Sequence, residues 1–411
     1  ENLSDLPIDI TGIAHMDGRP LGTPTQEVIT LSKRQDTIIS FDLNRYFVNA
    51  FVSKKNKKGS FVYPKDIAKL RIAHEVQEVG IPRTSIIVPY TSNPKLKKVA
   101  QQYRAWGSSN IADYQFLEVS GKTVRIPEGT HIIDKTLTIE KGMHLVVEPG
   151  AHIDLINEAS IISNSAITAK GTAKKEIKFY SSDDSGGGIF VTNASKISNL
   201  QYCSFESLSF PNSPLWNLSG GVNFHESEVN LSHVTFKNNR SEDALNIIRS
   251  DFTMTDSTFE NTMSDAFDGD FVTGSILRCN FINSGNDGID ISGSELYLED
   301  IVIKNPSDKA ISAGENSQIT GKNIQVIGGE IGVVSKDLSS VALTDLSITD
   351  TRLGLSAFQK KSEYGTATIS IEDLSLIQVE QPHLIEIESQ LLIDGEAVTT
   401  VSNSVIDQMY G

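Results

Sequence analysis

Acidic side chains are concentrated in one part of the chain, at a spacing that could bring them together. They are Asp265, Asp268, Asp270, Asp287 and Asp290. Paired carboxyl groups can act as general acid and base when one is protonated and the other ionised, and carboxylate oxygens also bind hard cations such as Ca²⁺. Because the pairs 265/287 and 268/290 share a separation of 22 residues, a repeating scaffold is needed to position them.

A repeat of that length runs through the second half of the chain. Small residues recur every 22 positions, at Ala244, Ala266, Gly288, Ala310, Gly332 and Gly354. The segments around them alternate apolar with polar residues, which predicts short strands. In four successive repeats a large apolar residue precedes an asparagine by two positions, at Phe236/Asn238, Phe259/Asn261, Phe281/Asn283 and Ile303/Asn305. This pattern predicts an interior column beside a ladder of stacked asparagine amides.

The repeat predicts the fold class. A leucine-rich repeat can have the same period, but its leucine scaffold is missing from these repeats. We therefore expect an all-β solenoid, a right-handed single-stranded parallel β-helix with coils of about 22 residues, over residues 116–411. Residues 1–115 differ in pattern and are expected to form a small α/β or capping domain. Within that domain the apolar spacing predicts helices over 64–79 and 92–107 and strands over 37–41, 46–52 and 85–90.

Strand parity predicts which side chains face out of the helix. The large apolar residues of each coil would point into the core, so the residue between two of them points outward. The resulting outward column is Asn246, Asp268 and Asp290. We expect the five aspartates to converge on one outward patch as catalytic candidates, in a groove spanning residues 221–312. Substrate-binding candidates beside them are His225, Asn246, Arg249 and Lys309.

Two short motifs in adjacent coils resemble those of a known family. Residues 264–268 read Ser-Asp-Ala-Phe-Asp, and residues 286–290 read Asn-Asp-Gly-Ile-Asp. They resemble the polygalacturonase-type glycoside hydrolases of the pectate-lyase-like superfamily, in which an N-T-D-G-x-D strand precedes a D-D pair in the next coil. The resemblance covers about four coils and implies that Asp265 and Asp287 match two of that family's catalytic carboxylates. Asn286 replaces the third, and Lys309 stands where the family has histidine.

Composition limits the classes of partner. The net charge of −16 argues against nucleic acid, and the sequence has no apolar run long enough for a membrane span. The cysteines, Cys203 and Cys279, would lie several coils apart and form no disulfide framework. We expect a polysaccharide partner and an extracellular, periplasmic or cell-surface location.

Three functions are consistent with these features. The first is a carboxylate-dependent glycoside hydrolase that needs no cofactor. The second is a calcium-assisted lyase or epimerase acting on a uronate polymer, with Asp268, Asp270 and Asp290 as Ca²⁺ ligands and a basic side chain as the base. The third is a non-catalytic glycan-binding or adhesin module, because a fold by itself does not specify a reaction.

Overall fold

The computed structural model describes residues 6–15, 20–22, 28–32, 70–77, 82–86, 110–212, 218–398 and 405–410 of the chain. The chain divides into two compact units, residues 1–102 and 103–411. The sequence prediction put this boundary near residue 115.

The described residues of the first unit form a small antiparallel sheet. Its strands are Ile8–His15, Pro20–Gly22, Ile29–Leu31, Leu70–Val76 and Pro82–Ile86. The strand Ile8–His15 pairs with the next two strands along one edge and with Leu70–Val76 along the other. Pro82–Ile86 completes the sheet on the far side of Leu70–Val76.

The helix predicted over 64–79 is wrong for residues 70–76, which form a strand. The pairs Ile67/Leu70 and Ile72/Val76 have helical separations, but the even separations of Leu70, Ile72 and Val76 fit one face of a strand. This strand lies between two antiparallel partners, and pairing on both edges overrides the weak helical signal. The other predicted helix and the strands at 37–41 and 46–52 lie outside the described residues, and only residues 85–86 of the third predicted strand fall within them.

The second unit is the predicted right-handed parallel β-helix, with coils of about 22 residues. One face, here called the front sheet, contains one strand per coil and every pairing in it is parallel. Its strands are Leu137–Ile139, Ile161–Ser163, Ile189–Thr192, Gly220–His225, Asp243–Ile248, Asp265–Asp270, Ile289–Ser292, Lys309–Gly314, Ile331–Lys336, Leu353–Phe358 and Gln381–Ile385.

The remaining strands form a second continuous sheet, the back sheet, which wraps the other sides of the helix. It consists of Glu118–Ser120, Thr123–Ile126, Gly129–Ile133, His144–Val147, Ala151–Leu155, Ile167–Lys170, Ile177–Tyr180, Ser198–Glu206, Val229–Lys237, Asp251–Thr255, Thr258–Thr262, Thr273–Leu277, Asn280–Ser284, Glu295–Lys304, Gln318–Ile327, Ser340–Thr349, Thr368–Ile377, Gln390–Ile393 and Glu396–Ala397. Its longer strands turn a corner at a residue with positive φ, such as Asp300 or Asp345. In the sequence, a 3₁₀ turn, Ile111–Asp113, precedes the strands of the β-helix, and a short α-helix, Ile406–Tyr410, follows them.

The two columns predicted from the repeat are confirmed. The register aligns Phe236, Phe259, Phe281 and Ile303, and successive phenylalanine rings stack 4.6 and 4.8 Å apart. Beside them each asparagine donates its amide Nδ2 to the Oδ1 of the previous one, at 3.3, 2.9 and 3.1 Å along Asn238, Asn261, Asn283 and Asn305. All four asparagines have φ between 50° and 56°, a left-handed conformation that asparagine adopts more readily than most residues.

The column of small residues at the start of each front strand also has a steric cause. A Cβ on Gly332 would lie 2.5 Å from the carbonyl oxygen of Gly354, and one on Gly288 would lie 2.7 Å from that of Ala310. Because the backbone of the next coil passes this close, larger side chains do not fit there. The repeat visible in the sequence is therefore a packing requirement that fixes the register of the coils.

Candidate active site

The front sheet aligns the predicted outward column. Asn246 pairs with Asp268, and Asp268 pairs with Asp290, while Asp270 pairs with Ser292 one pleat further along. Neighbouring parallel strands lie about 4.8 Å apart, so the aspartates of adjacent coils are close neighbours. Asp268, Asp270 and Asp290 are each partly exposed, whereas the apolar residues between them are buried. These three aspartates form the acidic patch.

A chain of hydrogen bonds holds Asp268 from one side. The amide of Asn246 donates Nδ2–H to Oδ2 of Asp268 at 2.7 Å. The other end of that amide, Oδ1, accepts from Nε2 of His225 at 2.9 Å. Burial lowers the pKa of His225, and the nearby charge of Arg249 lowers it further. The hydrogen bond to Asn246 has the opposite effect but does not cancel the shift. The imidazole is therefore neutral near pH 7, carries its proton on Nε2 and orients the amide that contacts Asp268.

The acidic patch favours protonated carboxyl groups. Burial raises the pKa of Asp268 well above its usual range, and repulsion from Asp243, Asp270 and Asp290 raises it further. Burial and the same kind of repulsion raise the pKa of Asp270 to about 6, although Lys361 and Arg249 oppose this shift. The patch thus places Asp268, whose environment favours the protonated form, beside Asp270, whose pKa of about 6 leaves it mostly ionised at pH 7. General acid–base chemistry requires two groups that differ in this way.

Asp265 and Asp287 lie at the starts of the front strands, and each binds the backbone of the following coil. Oδ1 of Asp265 accepts the N–H of Asp287 at 2.8 Å and the side-chain amide of Asn286 at 2.7 Å. Oδ1 of Asp287 accepts the N–H of Lys309 at 2.9 Å. The same contact therefore recurs one coil later, and it joins consecutive coils. Burial is the main reason that the pKa of Asp265 rises to about 6.

The expectation that all five aspartates reach an outward patch is wrong for Asp287. Its side chain is 2% exposed, and the structure also places Lys309 inside, at 4%. The ammonium of Lys309 lies 3.4 Å from Oδ1 of Asp287 and is paired with Asp308 as well. Burial raises the pKa of Asp287 to about 7, although Lys309 opposes the shift. Asp287 precedes the strand Ile289–Ser292, so the alternation of side chains along that strand did not fix its direction.

Asp243 belongs to the same row but was not among the predicted site residues. It pairs in register with Asp265, and it is buried. Burial, followed by repulsion from Asp265, raises the pKa of Asp243 to about 7. Its 22-residue separation from Asp265 was a signal that the sequence already contained.

Arg249 lies in the turn after its strand, with φ of 50°, beside the acidic patch. Its Nη1 is 3.4 Å from a carboxylate oxygen of Glu226, and its guanidinium carbon lies 6.0 Å from the ring centroid of Phe271. The turn directs this side chain away from the apolar core. The positive charge of Arg249 lowers the pKa of Asp270, against the effect of burial. Arg249 is therefore close enough to the acidic patch to affect its carboxyl groups.

A group of lysines missed by the sequence prediction borders the patch. Lys360 and Lys361 follow the front strand Leu353–Phe358, and their backbone N–H groups donate to Oδ1 of Asp337 at 2.7 and 2.6 Å. Lys361 is also ion-paired with Glu315. Burial, and then the charges of the lysines around it, lower the pKa of Lys360, while Asp290 opposes the shift.

The signal for these lysines was a change in the length of the repeat. Gly354 is aligned with Pro382, 28 residues later, where the other coils of this region have 22. The extra residues form a loop, 359–367, between Phe358 and the next back strand. An insertion of this kind in a regular solenoid marks a loop on one face, often the binding face.

Within the described parts of the chain, no three His, Cys, Asp or Glu side chains are grouped so that they could hold one metal ion. Asp268, Asp270 and Asp290, the ligands expected in the calcium alternative, do not form such a group in this structure. No helix among the described residues is both long and apolar enough to span a membrane.

Comparisons with known proteins indicate only distant similarity. No protein-family model matches the chain, and no curated protein matches it. Among solved structures, the catalytic domain of a GH87 α-1,3-glucanase with bound tetrasaccharides has a TM-score of 0.39 and 11% identity over 98% of this chain and 89% of that one. A periplasmic alginate epimerase has a TM-score of 0.36 and 10% identity over 68% and 80%. A surface adhesin of Streptococcus pneumoniae has a TM-score of 0.35 and 14% identity over 77% and 94%. The chemistry of the site therefore has to be judged from its own side chains.

Proposed function

We propose that this protein is a carboxylate-dependent glycoside hydrolase that cleaves a polysaccharide at the acidic patch. The observation that carries the proposal is the position of Asp268, whose pKa is raised by burial and by its carboxylate neighbours, beside Asp290 on the adjacent coil. Glycosidases use such a pair, a protonated acid and an ionised carboxylate on either side of the scissile bond. The proposal includes an extracellular, periplasmic or cell-surface location.

The proposed reaction assigns different roles to the two aspartates. Oδ2 of Asp268 accepts the hydrogen bond from Asn246, which leaves Oδ1 to carry the proton. That proton passes to the glycosidic oxygen as the bond between this oxygen and the anomeric carbon breaks. In this reaction Asp290 either attacks the anomeric carbon or takes a proton from the water that does so.

The geometry is compatible with both stereochemical outcomes. Asp268 and Asp290 lie on adjacent strands about 4.8 Å apart, close to the ~5 Å separation of retaining enzymes. Asp268 and Asp270 lie two residues apart on one strand, about 6.6 Å along it, at the lower limit of the ~6.5–9.5 Å separation of inverting enzymes. The anomeric configuration of the first product, followed by NMR, would identify the partner of Asp268.

The experiment that tests the proposal measures new reducing ends released from polygalacturonate, alginate and α-1,3-glucan. We expect wild type to act on at least one of them and Asp268→Asn to lower kcat by about 10²–10⁴, the contribution of a general acid. Asp345→Asn is the matched control, because Asp345 is an exposed residue of the back sheet with φ of 56°, a conformation that asparagine tolerates. Full activity of Asp268→Asn would contradict the assignment.

A lyase or epimerase is the second candidate, and Lys360 is the observation that favours it. Burial lowers its pKa, and a lysine that loses its proton readily can act as a base at the C5 position of a uronate. A lyase would produce absorbance from unsaturated uronate ends in the same assay. Loss of activity on addition of a chelator would support the calcium form of this alternative. Binding to a glycan of the panel without any product would support the non-catalytic binding module.

A further inference from the structure

The outward column that contains the acidic patch is open for only a short distance. In register along the front sheet it consists of Ile162, Phe190, Asn223, Asn246, Asp268, Asp290, Ser312, Val334 and Ser356. Asp268 and Asp290 are partly exposed, and every other member of that column is buried. An uncovered face of a β-helix would expose its outward residues along its whole length, so other segments cover this face on both sides of the two aspartates.

On the N-terminal side the cover is apolar. Leu218 packs against Phe190 and Ile162, which occupy the outward column three and four coils before Asp268. The ring of His225 meets that of Phe190 edge-on at 5.0 Å between centroids. A glycan chain lying along the front sheet therefore could not continue in this direction.

On the C-terminal side the column is buried as well. Ser312, which follows Asp290 in the column, has no exposed surface. Further along, Val334 packs in an apolar cluster with Val405, and Ile406 and Met409 of the short helix pack against the same cluster. The groove therefore ends one coil beyond Asp290.

The loop 359–367 borders a third side, along the turns that follow the front strands. Its backbone is fixed by the two hydrogen bonds to Asp337 in the turn of the previous coil, and Lys361 is paired with Glu315 in the turn two coils earlier. The charge of Lys361 also opposes the raised pKa of Asp270, which lies at the edge of the acidic patch. This side is therefore bounded by an anchored loop.

On the fourth side the described residues are exposed. The turns that precede the front strands of Asp268 and Asp290 expose Met263, at 66%, and Gly285. Asp265 and Asn286, next to these residues, are partly exposed. A substrate can therefore reach the acidic patch across these turns.

We propose that the acidic patch is the floor of a pocket that accepts the end of a glycan chain, so that the enzyme acts on chain ends and not within the chain. This inference rests on the proposed hydrolase function. Enzymes that cleave within a chain need a groove open in two directions, whereas described segments bound this patch on three sides. The loop 359–367 is then a specificity element that prevents a chain from passing through.

The test compares viscosity with reducing ends during digestion of whichever of the three polysaccharides the wild type cleaves. Removal of terminal units releases one short product from the earliest times and leaves the viscosity nearly unchanged. A rapid fall in viscosity with a mixture of long oligosaccharides would overturn the inference and leave the hydrolase function intact. Absence of product from all three polysaccharides would overturn the hydrolase function, and this inference with it.

A loop variant tests the structural cause. Deletion of residues 359–364 restores the 22-residue separation of Gly354 and Pro382 and removes the boundary on the third side. We expect the variant to gain cleavage within the chain, measured as a several-fold larger fall in viscosity per reducing end. Lys361→Ala removes the ion pair with Glu315 and the positive charge near Asp270 but keeps the rest of the loop. It should change this ratio in the same direction and is the milder variant should the deletion fail to fold. An unchanged ratio in a folded loop variant would contradict the role of the loop.

Discussion

Asp268 differs from the other carboxyl groups of the site in what surrounds it. Asp265 and Asp287 accept backbone N–H groups, contacts that stabilise the ionised form and join neighbouring coils. Asp268 instead accepts from the neutral amide of Asn246 and faces other carboxylates. Its environment therefore favours the protonated form, and a protonated acid on the outward face is a group that can give its proton to a substrate.

This environment leads to a prediction for Asn246→Ala. The amide N–H stabilises the ionised form of Asp268, so its removal should raise the pKa of Asp268 further. The acid then stays protonated to higher pH, and we expect the alkaline limb of kcat/KM to move upward by about one pH unit, as for one hydrogen bond to a charged group. The pH–rate profile measures this shift.

Asn230→Ala is the matched control for that experiment. Asn230 is a partly buried asparagine of the back sheet that accepts from Thr253 and lies outside the acidic patch. Its substitution should leave the profile in place. An alkaline limb that stays at the wild-type pH in Asn246→Ala, or moves downward, would show that Asn246 does not act through Asp268.

At the scale of the coil, the asparagine ladder combines two kinds of stabilisation. Each amide bonds to its neighbours above and below, and each asparagine also occupies a left-handed corner. Where the ladder ends, the corner is Gly328, at which a Cβ would lie 2.5 Å from Oδ1 of Asn305. The corner thus requires a residue that accepts positive φ, and the hydrogen bonds add to the stability of the stack.

Substitution of Asn283 separates these two contributions. Asn283→Ala loses both amide bonds and adds the cost of a left-handed alanine, so we expect a loss of roughly 2 kcal/mol of unfolding free energy. Asn283→Gly loses the same hydrogen bonds without that steric cost and should be less destabilising in the folded state, although glycine also stabilises the unfolded chain. Thermal unfolding of the two variants measures the difference. If Asn283→Gly loses as much unfolding free energy as Asn283→Ala, or more, the positive φ of this corner does not contribute to stability as proposed.

The elements that the sequence predicted are those fixed by a local repeat. Coil length, the phenylalanine column and the alignment of Asp268 with Asp290 all follow from a 22-residue separation, because each coil packs on the next in the same way. The loop with Lys360 breaks that period. The longer separation marked an insertion, but the contact of that insertion with the site depended on tertiary structure. The strand Leu70–Val76 has no repeat, and its helix-like pattern was decided by its two neighbours in the sheet.

Across the whole molecule, charges on the two sheets are arranged differently. On the back sheet, Arg278 binds Asp256 through two nitrogens at 2.7 and 2.9 Å, and this pair lowers the pKa of Asp256. On the front sheet, burial and mutual repulsion raise the pKa values of Asp243 and Asp268. Buried charges without a partner lower the free energy of unfolding. The concentration of carboxyl groups on the front sheet therefore destabilises the folded protein.

The stability of the protein should therefore increase as the pH falls from about 8 to about 5. Asp243 and Asp287 have folded-state pKa values of about 7, and those of Asp265 and Asp270 are about 6, all above the ordinary value near 4. A raised folded-state pKa means that the native state binds protons more tightly than the unfolded chain. Its stabilisation is fully present below pH 4 and is lost as the pH rises through 6 to 7. Below about pH 4, carboxylates such as Asp256 oppose this trend, so the measurement belongs above pH 5.

Asp243→Asn tests which group is responsible. The substitution removes a buried charge, and the new amide can donate to neighbouring carboxylates, so we expect the melting temperature to rise at pH 8 and its pH dependence to become weaker. The change between pH 8 and pH 5 should be on the order of a few kcal/mol of unfolding free energy in wild type. Asp345→Asn, on the back sheet, should leave the slope of melting temperature against pH unchanged. A wild-type melting temperature that falls between pH 8 and pH 5 would mean that buried acids of the front sheet do not control the stability of the fold.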